Sequence, residues 1–190
     1  RGHITDYKVV VICVTDAEVR KIIERGGKIV ADEHEWDAKA FAKRVALVKG
    51  MNAYGLKKVF TFHGRVKGAK AFTDTSTSYG IHNVFKMLEP ENNNKKDVKF
   101  FHVNGTMSSG VRNGVMKEFK EAEIGIMSNA RCLTEGVDVP SVDTIAFIDP
   151  KRSLIDIVQA TGRAMRKAEW KEKGYIFIPV VVEEDTDPEK

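Results

Sequence analysis

Cysteine and proline are scarce in this chain of 190 residues, which has two of the first and five of the second. Cys13 and Cys132 lie in or beside apolar runs without metal-ligand spacing, so we expect buried, reduced thiols and neither a disulfide framework nor a zinc site. Such thiols predict a cytoplasmic location. The sequence also lacks a run of 18 apolar residues and a hydrophobic signal core, so it predicts neither a membrane span nor a membrane partner.

Positive charge is in small excess, with 31 Lys and Arg against 27 Asp and Glu and a net charge of +4. This balance permits an anionic partner such as a nucleic acid but does not demonstrate one. A chain of this length can form one domain that buries roughly 70% of its unfolded surface. We therefore predict one domain over residues 1–182, followed at residues 183–190 by an acidic tail or linker.

Two glycine-rich phosphate-binding loops are absent from the sequence. The loop Gly-x-x-x-x-Gly-Lys-Ser/Thr would supply an amide cradle and a lysine for nucleotide phosphates, so its absence excludes a self-sufficient nucleoside triphosphatase. The loop Gly-x-Gly-x-x-Gly follows no strand-like run. A free-standing α/β enzyme with a nucleotide cofactor is therefore a disfavoured alternative.

Short apolar runs alternate with amphipathic segments along the chain. Strands are predicted at residues 9–14, 59–62, 98–103, 124–127, 142–148 and 175–182, and helices near residues 37–49, 78–88, 109–120 and 153–166. This alternation predicts an α/β fold, with a mainly parallel sheet and helices on both faces. The polar stretch at residues 90–96 is expected to be a loop, because strand patterning resumes directly after it.

The predicted helix at residues 153–166 displays its cations together. Gln159, Arg163 and Arg166 stand at i, i+4 and i+7 on one face. Gly162 costs about 1 kcal/mol relative to alanine inside a helix, which indicates that something approaches the backbone closely. Arginine binds phosphate oxygens bidentately and stabilises charge that develops during phosphoryl transfer, so the pattern fits a phosphate clamp. The alternative is a solvated basic face.

The segment upstream of this helix contains Gly136-x-Asp138, closed by Pro140. This turn aims a carboxylate out of the carboxyl end of a strand, where open α/β sheets bind ligands. Three segments together resemble motifs V and VI of superfamily 2 (DEAD/DEAH-like) helicases. They are Thr-Glu-Gly-Val-Asp-Val-Pro at 134–140, Gln-Ala-Thr-Gly-Arg-Ala-Met-Arg-Lys at 159–167 and Gly-Tyr-Ile-Phe-Ile-Pro at 174–179. The likeness is greatest to helicases associated with restriction systems and mobile elements. It extends over most of the chain and corresponds to the C-terminal RecA-like domain.

Two further motifs extend the resemblance. Phe-Thr-Phe-His-Gly-Arg-Val at 60–66 follows a strand and opens a helix, as motif IV does, so amide groups near Gly64 could meet a phosphate. Residues 101–112 show the same strand, glycine turn and helix start after the next predicted strand. The phenylalanines of both segments are expected to be core residues. The resemblance implies six residues that contact a nucleic-acid strand: Gly64, Arg65, Gly105, Thr106, Arg112 and Asn129. Asn129 stands near the position of the motif V threonine, which has no clear match in this sequence.

By this resemblance, the chain is the second motor domain of an ATP-dependent DNA helicase or translocase. ATP and Mg²⁺ would be held mainly by a missing N-terminal RecA-like domain of the same protein, and this chain alone would not hydrolyse ATP. Arg163 and Arg166 would reach the γ-phosphate and Gln159 would position water or phosphate, and the nucleotide-binding residues would be Gly136, Asp138 and Gly162. Single-stranded DNA, bound through its backbone, is preferred over RNA. A nucleic-acid-binding module without motor activity and an RNA helicase domain are the alternatives.

One acidic segment is similar in sequence to a catalytic motif. Asp-Glu-His-Glu at residues 32–35 resembles the Mg²⁺-binding box of helicase motors, but a long apolar strand does not precede it. We interpret it as the acidic start of the following helix, favoured by the helix dipole. His3, His34, His82 and His102 have no catalytic or metal-ligand spacing, so packing is the better interpretation of each and no metal site is predicted.

Overall fold

The structure is a computed structural model that describes residues 6–26, 38–77, 80–88, 97–130, 142–149, 162 and 173–182. Numbered in chain order, its strands are β1 (Tyr7–Thr15), β2 (Lys58–His63), β3 (Val98–Asn104), β4 (Ile124–Ala130), β5 (Thr144–Phe147) and β6 (Gly174–Val182). Its helices are α1 (Asp16–Gly26), α2 (Ala38–Tyr54), α3 (Val66–Thr73), α4 (Ile81–Leu88) and α5 (Ser109–Glu121).

The six strands form one sheet in the order β1-β6-β5-β2-β4-β3. All five pairings between described strands are parallel. Every residue of β2, β4 and β5 is buried, as expected of strands that lie inside a sheet covered on both faces. These observations confirm the predicted α/β fold, with parallel pairing throughout the described sheet.

Apolar side chains pack in two clusters, one on each face of the sheet. The larger cluster contains residues of α1, α2, α3 and α4, among them Phe41 and Phe72. The smaller cluster contains Phe119 of α5 together with Phe60 and Phe62 of β2. Helices therefore lie on both faces, as predicted, and Phe60 and Phe62 are confirmed as core residues. Phe100 and Phe101 are partly buried against opposite clusters.

Several boundaries differ from the prediction. Helix α1 was not predicted, although Val19 and Ile22 form a buried i, i+3 pair on it. Helix α2 continues to Tyr54, beyond the expected end. The predicted loop at 90–96, the acidic segment at 32–35 and the predicted helix at 153–166, except for residue 162, lie outside the described residues. In the part of the chain that the structure describes, no helix is long and apolar enough to cross a membrane.

The expectation that both thiols are buried is wrong for Cys13, which is an exposed free thiol. It lies on β1, the strand at one edge of the sheet, where exposed and buried residues alternate. Tyr7, Val9 and Val11 share its face and are also exposed. An apolar residue on a strand is buried only where a neighbouring layer covers its face, which the sequence pattern does not reveal. Cys132 lies outside the described residues.

Candidate nucleic-acid interface

Two of the predicted strand-contacting segments meet at one edge of the sheet. Strand β2 ends at His63 and is followed by Gly64 and Arg65, whereas β3 ends at Asn104 and is followed by Gly105 and Thr106. Only β4 separates them, and the parallel pairing places all these carboxyl ends at the same edge. Gly64, Arg65, Gly105 and Thr106 are all exposed. This edge is where open α/β sheets bind ligands.

The backbone amide of Gly64 is engaged by a carboxylate. It donates a hydrogen bond of 2.9 Å to Asp149 Oδ2, and Asp149 Oδ1 is 3.6 Å from Lys43 Nζ. Asp149 follows β5 closely, and the sequence reasoning did not select it. A phosphate that binds this amide must therefore displace the Asp149 carboxylate.

Arg65 is the N-cap of α3 and has an extended backbone, with φ −129° and ψ 140°. Its side chain makes no capping hydrogen bond, since a guanidinium has donors but no acceptor. The positive end of the α3 dipole and the exposed Arg65 guanidinium thus lie together beside Gly64. This combination favours an anionic ligand next to the Gly64 turn.

The turn after β3 is held by Asn104. Its side-chain Oδ1 accepts two hydrogen bonds from Thr106, one of 2.9 Å from the backbone amide and one of 2.6 Å from the hydroxyl. The amide of Gly105 donates to the Ala130 carbonyl at 3.3 Å. Asn and Asp side chains commonly fix turns through such bonds to residues two positions ahead. The exposed Thr106 is therefore presented on a turn with a defined geometry.

Helix α5 begins directly behind this turn. Ser108 is its N-cap, and the Ser108 hydroxyl accepts a hydrogen bond of 3.4 Å from the Val111 amide. Arg112, predicted to contact the strand, lies on the first turn of α5 and is half-buried. Its side chain is thus less available than those of Arg65 and Thr106.

A chain of polar side chains lies beneath the Thr106 turn. Asn104 Nδ2 is 3.1 Å from His102 Nε2, and His102 Nδ1 is 2.9 Å from Ser128 Oγ. Ser128 Oγ is in turn 2.8 Å from Thr73 Oγ1, at the last residue of α3. The sequence reasoning did not select Asn104, His102 or Thr73 for the site. The available signal was the pair of polar residues His102 and Asn104 at alternate positions near the end of β3.

His63 is the last residue of β2 and was also missed. Its ring is only 7% exposed, packs on Phe72 with 4.8 Å between ring centroids, and places Nε2 2.9 Å from Thr61 Oγ1. Burial lowers the His63 pKa to about 3, and the opposing effect of Asp149 is smaller. His63 is therefore neutral near pH 7 and contributes no positive charge to the edge.

Asn129 does not line the exposed edge. It lies in β4 between β2 and β3 and is only 2% exposed, so its side chain offers little surface to a bound strand in this conformation. Gly162 has helical backbone, and a Cβ built there meets no atom of the described residues within 4 Å. Hence no described residue explains the glycine.

Five predicted nucleotide-contacting residues lie outside the described residues: Gly136, Asp138, Gln159, Arg163 and Arg166. In the ranges that the structure does describe, there is no group of three or more His, Cys, Asp or Glu side chains that could hold a metal ion.

Comparison with known proteins gives the family. Residues 46–168 match the family described as "Helicase conserved C-terminal domain". The solved "ATP-dependent Type ISP restriction-modification enzyme LlaBIII bound to DNA" matches 98% of this chain and 13% of its own, with a TM-score of 0.80 and 29% identity. "Mss116p DEAD-box helicase domain 2 bound to an RNA duplex" matches 91% of this chain and 54% of its own, with a TM-score of 0.53, but at 18% identity it shows the fold alone.

Among curated relatives, "Probable helicase A859L" of African swine fever virus (strain Badajoz 1971 Vero-adapted) is 35% identical over 75 residues. The match covers 37% of this chain and 9% of that protein. The chain spans about a tenth of the length of the curated relatives it matches. The family match covers more than half of the chain, and the all-parallel sheet with helices on both faces is consistent with the RecA-like α/β fold that the motifs predict. The chain therefore belongs to the helicase conserved C-terminal domain family of superfamily 2 helicases.

Proposed function

We propose that the chain is the second motor domain of an ATP-dependent DNA helicase or translocase. The observation that carries this proposal is the likeness, over 98% of the chain at 29% identity, to an ATP-dependent restriction-modification enzyme bound to DNA. DNA is preferred over RNA on the same ground, because the RNA-bound relative is similar in fold alone. The partner is an N-terminal RecA-like domain of the same protein, which holds most of the nucleotide and the Mg²⁺.

The proposed roles of the individual residues follow from their side-chain chemistry. Arg163 and Arg166 bind the γ-phosphate of ATP and stabilise charge that develops on it, because a planar guanidinium donates bidentately to phosphate oxygens. Gln159 positions water or phosphate through its amide. Gly136 and Asp138 couple the nucleotide contacts to the bound strand.

The strand itself lies along the carboxyl edge of the sheet. Arg65 and the start of α3 contact one backbone phosphate, and the exposed Gly105–Thr106 turn lies against the strand backbone beside another. Such contacts position a strand without selecting its base sequence. The exposed positions of Arg65, Gly105 and Thr106 on one edge support this assignment.

Two sets of variants in the full-length parent enzyme test the proposal. We expect Arg163→Ala to reduce ATP turnover by about 10³-fold or more while strand binding without nucleotide stays near normal. Arg163→Lys should rescue poorly, since lysine lacks the fork geometry. Gly105→Ala combined with Thr106→Ala should instead weaken DNA binding and the stimulation of ATP turnover by DNA, with basal turnover nearly unchanged.

Thermal melting of each variant is the control, because a loss of stability depresses both measurements together. Wild-type turnover in Arg163→Ala or Arg163→Lys would remove the catalytic assignment of Arg163, whereas a parent protein without ATP turnover would be the nucleic-acid-binding module. Tighter binding to single-stranded RNA than to DNA of equal length would instead favour an RNA helicase. If both sets of variants gave the same pattern with unaltered melting, the separation into a strand site and a nucleotide site would be wrong.

A further inference from the structure

The polar chain beneath the Thr106 turn has only one consistent arrangement of protons. Asn104 Oδ1 accepts both hydrogen bonds from Thr106, so the Asn104 amide nitrogen faces His102 and donates to Nε2. An Nε2 that accepts carries no proton, so neutral His102 must bear its proton on Nδ1. The Nδ1–H then donates to Ser128 Oγ.

Ser128 completes the assignment. Its hydroxyl accepts from His102 Nδ1 and from the Thr73 hydroxyl, and it donates to the Phe101 carbonyl at 3.3 Å. One donor and two lone pairs are thereby used in full. Ser128 has no exposed surface, and Asn104 and Thr73 are 7% and 6% exposed. A hydrogen-bonded network in such surroundings is rigid, because breaking one bond leaves a buried polar group unpaired.

This polar chain joins the two segments that are proposed to contact the strand. Thr73 ends α3, the helix that begins beside Gly64 and Arg65. Thr106 is at the other end, on the exposed turn after β3. The relative placement of the two contacts is thus set by one continuous series of hydrogen bonds through the sheet.

We propose that His102 and Asn104 are positioning residues for nucleic-acid binding, and that neutral His102 holds the Thr106 turn in its strand-contacting geometry. This inference rests on the proposed function of the edge. It deepens that function by naming the residues that order the contact and the protonation state in which they do so.

The environment of His102 favours the neutral form. Burial lowers the His102 pKa, and the nearby Lys70 ammonium on α3 lowers it further. A hydrogen bond with Ser128 opposes both effects on the pKa and is the smallest of the three. Among the described residues, His63 on β2 also interacts electrostatically with His102. Acidification below the His102 pKa would place a proton on Nε2, and Asn104 would then lose its acceptor. The turn would be released even though the added positive charge alone attracts phosphate.

The two effects on binding have opposite signs, which makes the test decisive. The probe is fluorescent oligo-dT, titrated with the 190-residue chain between pH 5 and pH 8 at fixed salt. Asn104→Ala should bind about tenfold more weakly at pH 8, since it removes both bonds to Thr106. The wild-type affinity should fall as the pH drops through the His102 pKa, below 6.5.

His102→Gln is the conservative variant, because its side-chain oxygen can accept from Asn104 without titrating. It should keep most of the affinity at pH 8 and lose the decline at low pH. His82→Gln is the matched control, because His82 lies on α4 outside the polar chain, and it should retain the wild-type pH profile. Two-bond ¹H–¹⁵N spectra of the wild type should show His102 protonated on Nδ1.

Three outcomes would overturn the inference. Protonation of neutral His102 on Nε2 contradicts the proton assignment. Wild-type affinity that rises on acidification, or that declines equally in His102→Gln, contradicts the positioning role while leaving the strand site itself intact. Failure of the wild-type chain to bind oligo-dT at low salt overturns the proposed strand site, and the positioning role with it.

Discussion

Lys58 places its ammonium group in the interior at the start of β2. Nζ donates to the carbonyl oxygens of Phe119 at 2.5 Å, of Lys120 at 3.2 Å and of Ala122. These carbonyls belong to the last turn of α5 and the residue after it, where a helix has unpaired acceptors and a negative dipole end. Burial lowers the Lys58 pKa, partly opposed by Asp143. One side chain thus fastens the end of α5 to β2.

We predict that Lys58→Met lowers the free energy of unfolding by about 1–3 kcal/mol, because methionine fills similar space but leaves the carbonyl oxygens without their donor. Lys57→Met is the matched control. Lys57 is exposed and its Nζ is 3.9 Å from Glu123, and surface pairs of this kind contribute about 0–1 kcal/mol. Urea denaturation measures both. Equal small losses would show that the Nζ bonds do not stabilise the fold.

His63 makes the stability of the fold depend on pH. Its pKa is about 3 in the folded chain because burial disfavours the charged ring, whereas an unfolded histidine has a pKa of about 6.5. Below pH 6.5 the unfolded state therefore binds the proton more readily than the folded state. Stability from this group is complete above pH 6.5 and decreases as the pH falls from 6.5 towards 3.

We predict that His63→Gln flattens this dependence. Between pH 6.5 and 4.5 the wild type should lose up to about 1.4 kcal/mol of unfolding free energy for each pH unit because of His63, and the variant should lack that slope. Glutamine can still hydrogen-bond to Thr61. Carboxylates titrate in both proteins, so the difference between two series of urea denaturations isolates the imidazole. Identical slopes would contradict the assigned pKa.

Helix α2 lies so close to the sheet that it needs a glycine at the contact. A Cβ added to Gly50 would overlap the ring of Phe177 on β6 and come within 2.9 Å of Ile12 Cδ1 on β1. Phe177 is fully buried, so its ring has little space into which to move. The glycine thus lets one helix pack over the two strands at this side of the sheet.

We expect Gly50→Ala to destabilise the fold by about 1–3 kcal/mol, because overpacking a filled core forces side chains or backbone to shift. Gly114→Ala, on α5, is the control. A Cβ there meets nothing within 4 Å among the described residues, so alanine should stabilise the helix by up to about 1 kcal/mol through its higher propensity. Thermal melting of the two variants should give shifts of opposite sign. A stabilised Gly50→Ala would refute the close packing.

The strands were predictable because each is an apolar run bounded by polar or glycine-rich sequence, and buried parallel strands require such runs. Helix α1 was not predicted, because its apolar residues Val19 and Ile22 stand among charged residues and give only a short periodic pattern. The end of α2 was placed too early because residues 50–54 contain a glycine, which lowers helix propensity. Here the tight packing of Gly50 on Phe177 outweighs that preference.

The edge location of Gly64 and Thr106 followed from the sequence because parallel strands end at the same side of a sheet. The partners of these residues on neighbouring strands could not be predicted, because a single sequence does not reveal the order of strands in the sheet. Asn129 was expected to contact the strand, but β4 lies between β2 and β3 and its residues are buried. For the same reason, the contacts of Ser128 with Thr73 and His102 appeared only in the structure.

The proposed contacts at the carboxyl edge are few and are made to the strand backbone, and this proposal predicts how the 190-residue chain binds. Affinity for single-stranded DNA should be weak and fall steeply with salt, with a slope of about −0.7 on a logarithmic plot for each phosphate neutralised, and be nearly indifferent to base sequence. ATP turnover should stay at background in the same solution, because the phosphate-binding loop is absent.

Fluorescence anisotropy over a salt series and a coupled ATPase assay measure both quantities. Affinity that is independent of salt, or strongly selective for sequence, would favour a sequence-reading module over a motor domain. Robust hydrolysis that Arg163→Ala abolishes would refute the absence of turnover from this chain alone.

The pairing of β1 with β6 has a consequence for biosynthesis. Strand β1 is made before the other described strands of this sheet, but its only partner in the described sheet is the strand at residues 174–182, with which it pairs over nine positions. At translation rates of about 5–20 residues per second, β1 waits roughly ten to thirty seconds for that partner. During this interval a strand rich in valine has an unpaired backbone and no hydrogen-bonded neighbour. Within this domain, β1 is thus exposed to aggregation and to chaperone binding until β6 leaves the ribosome.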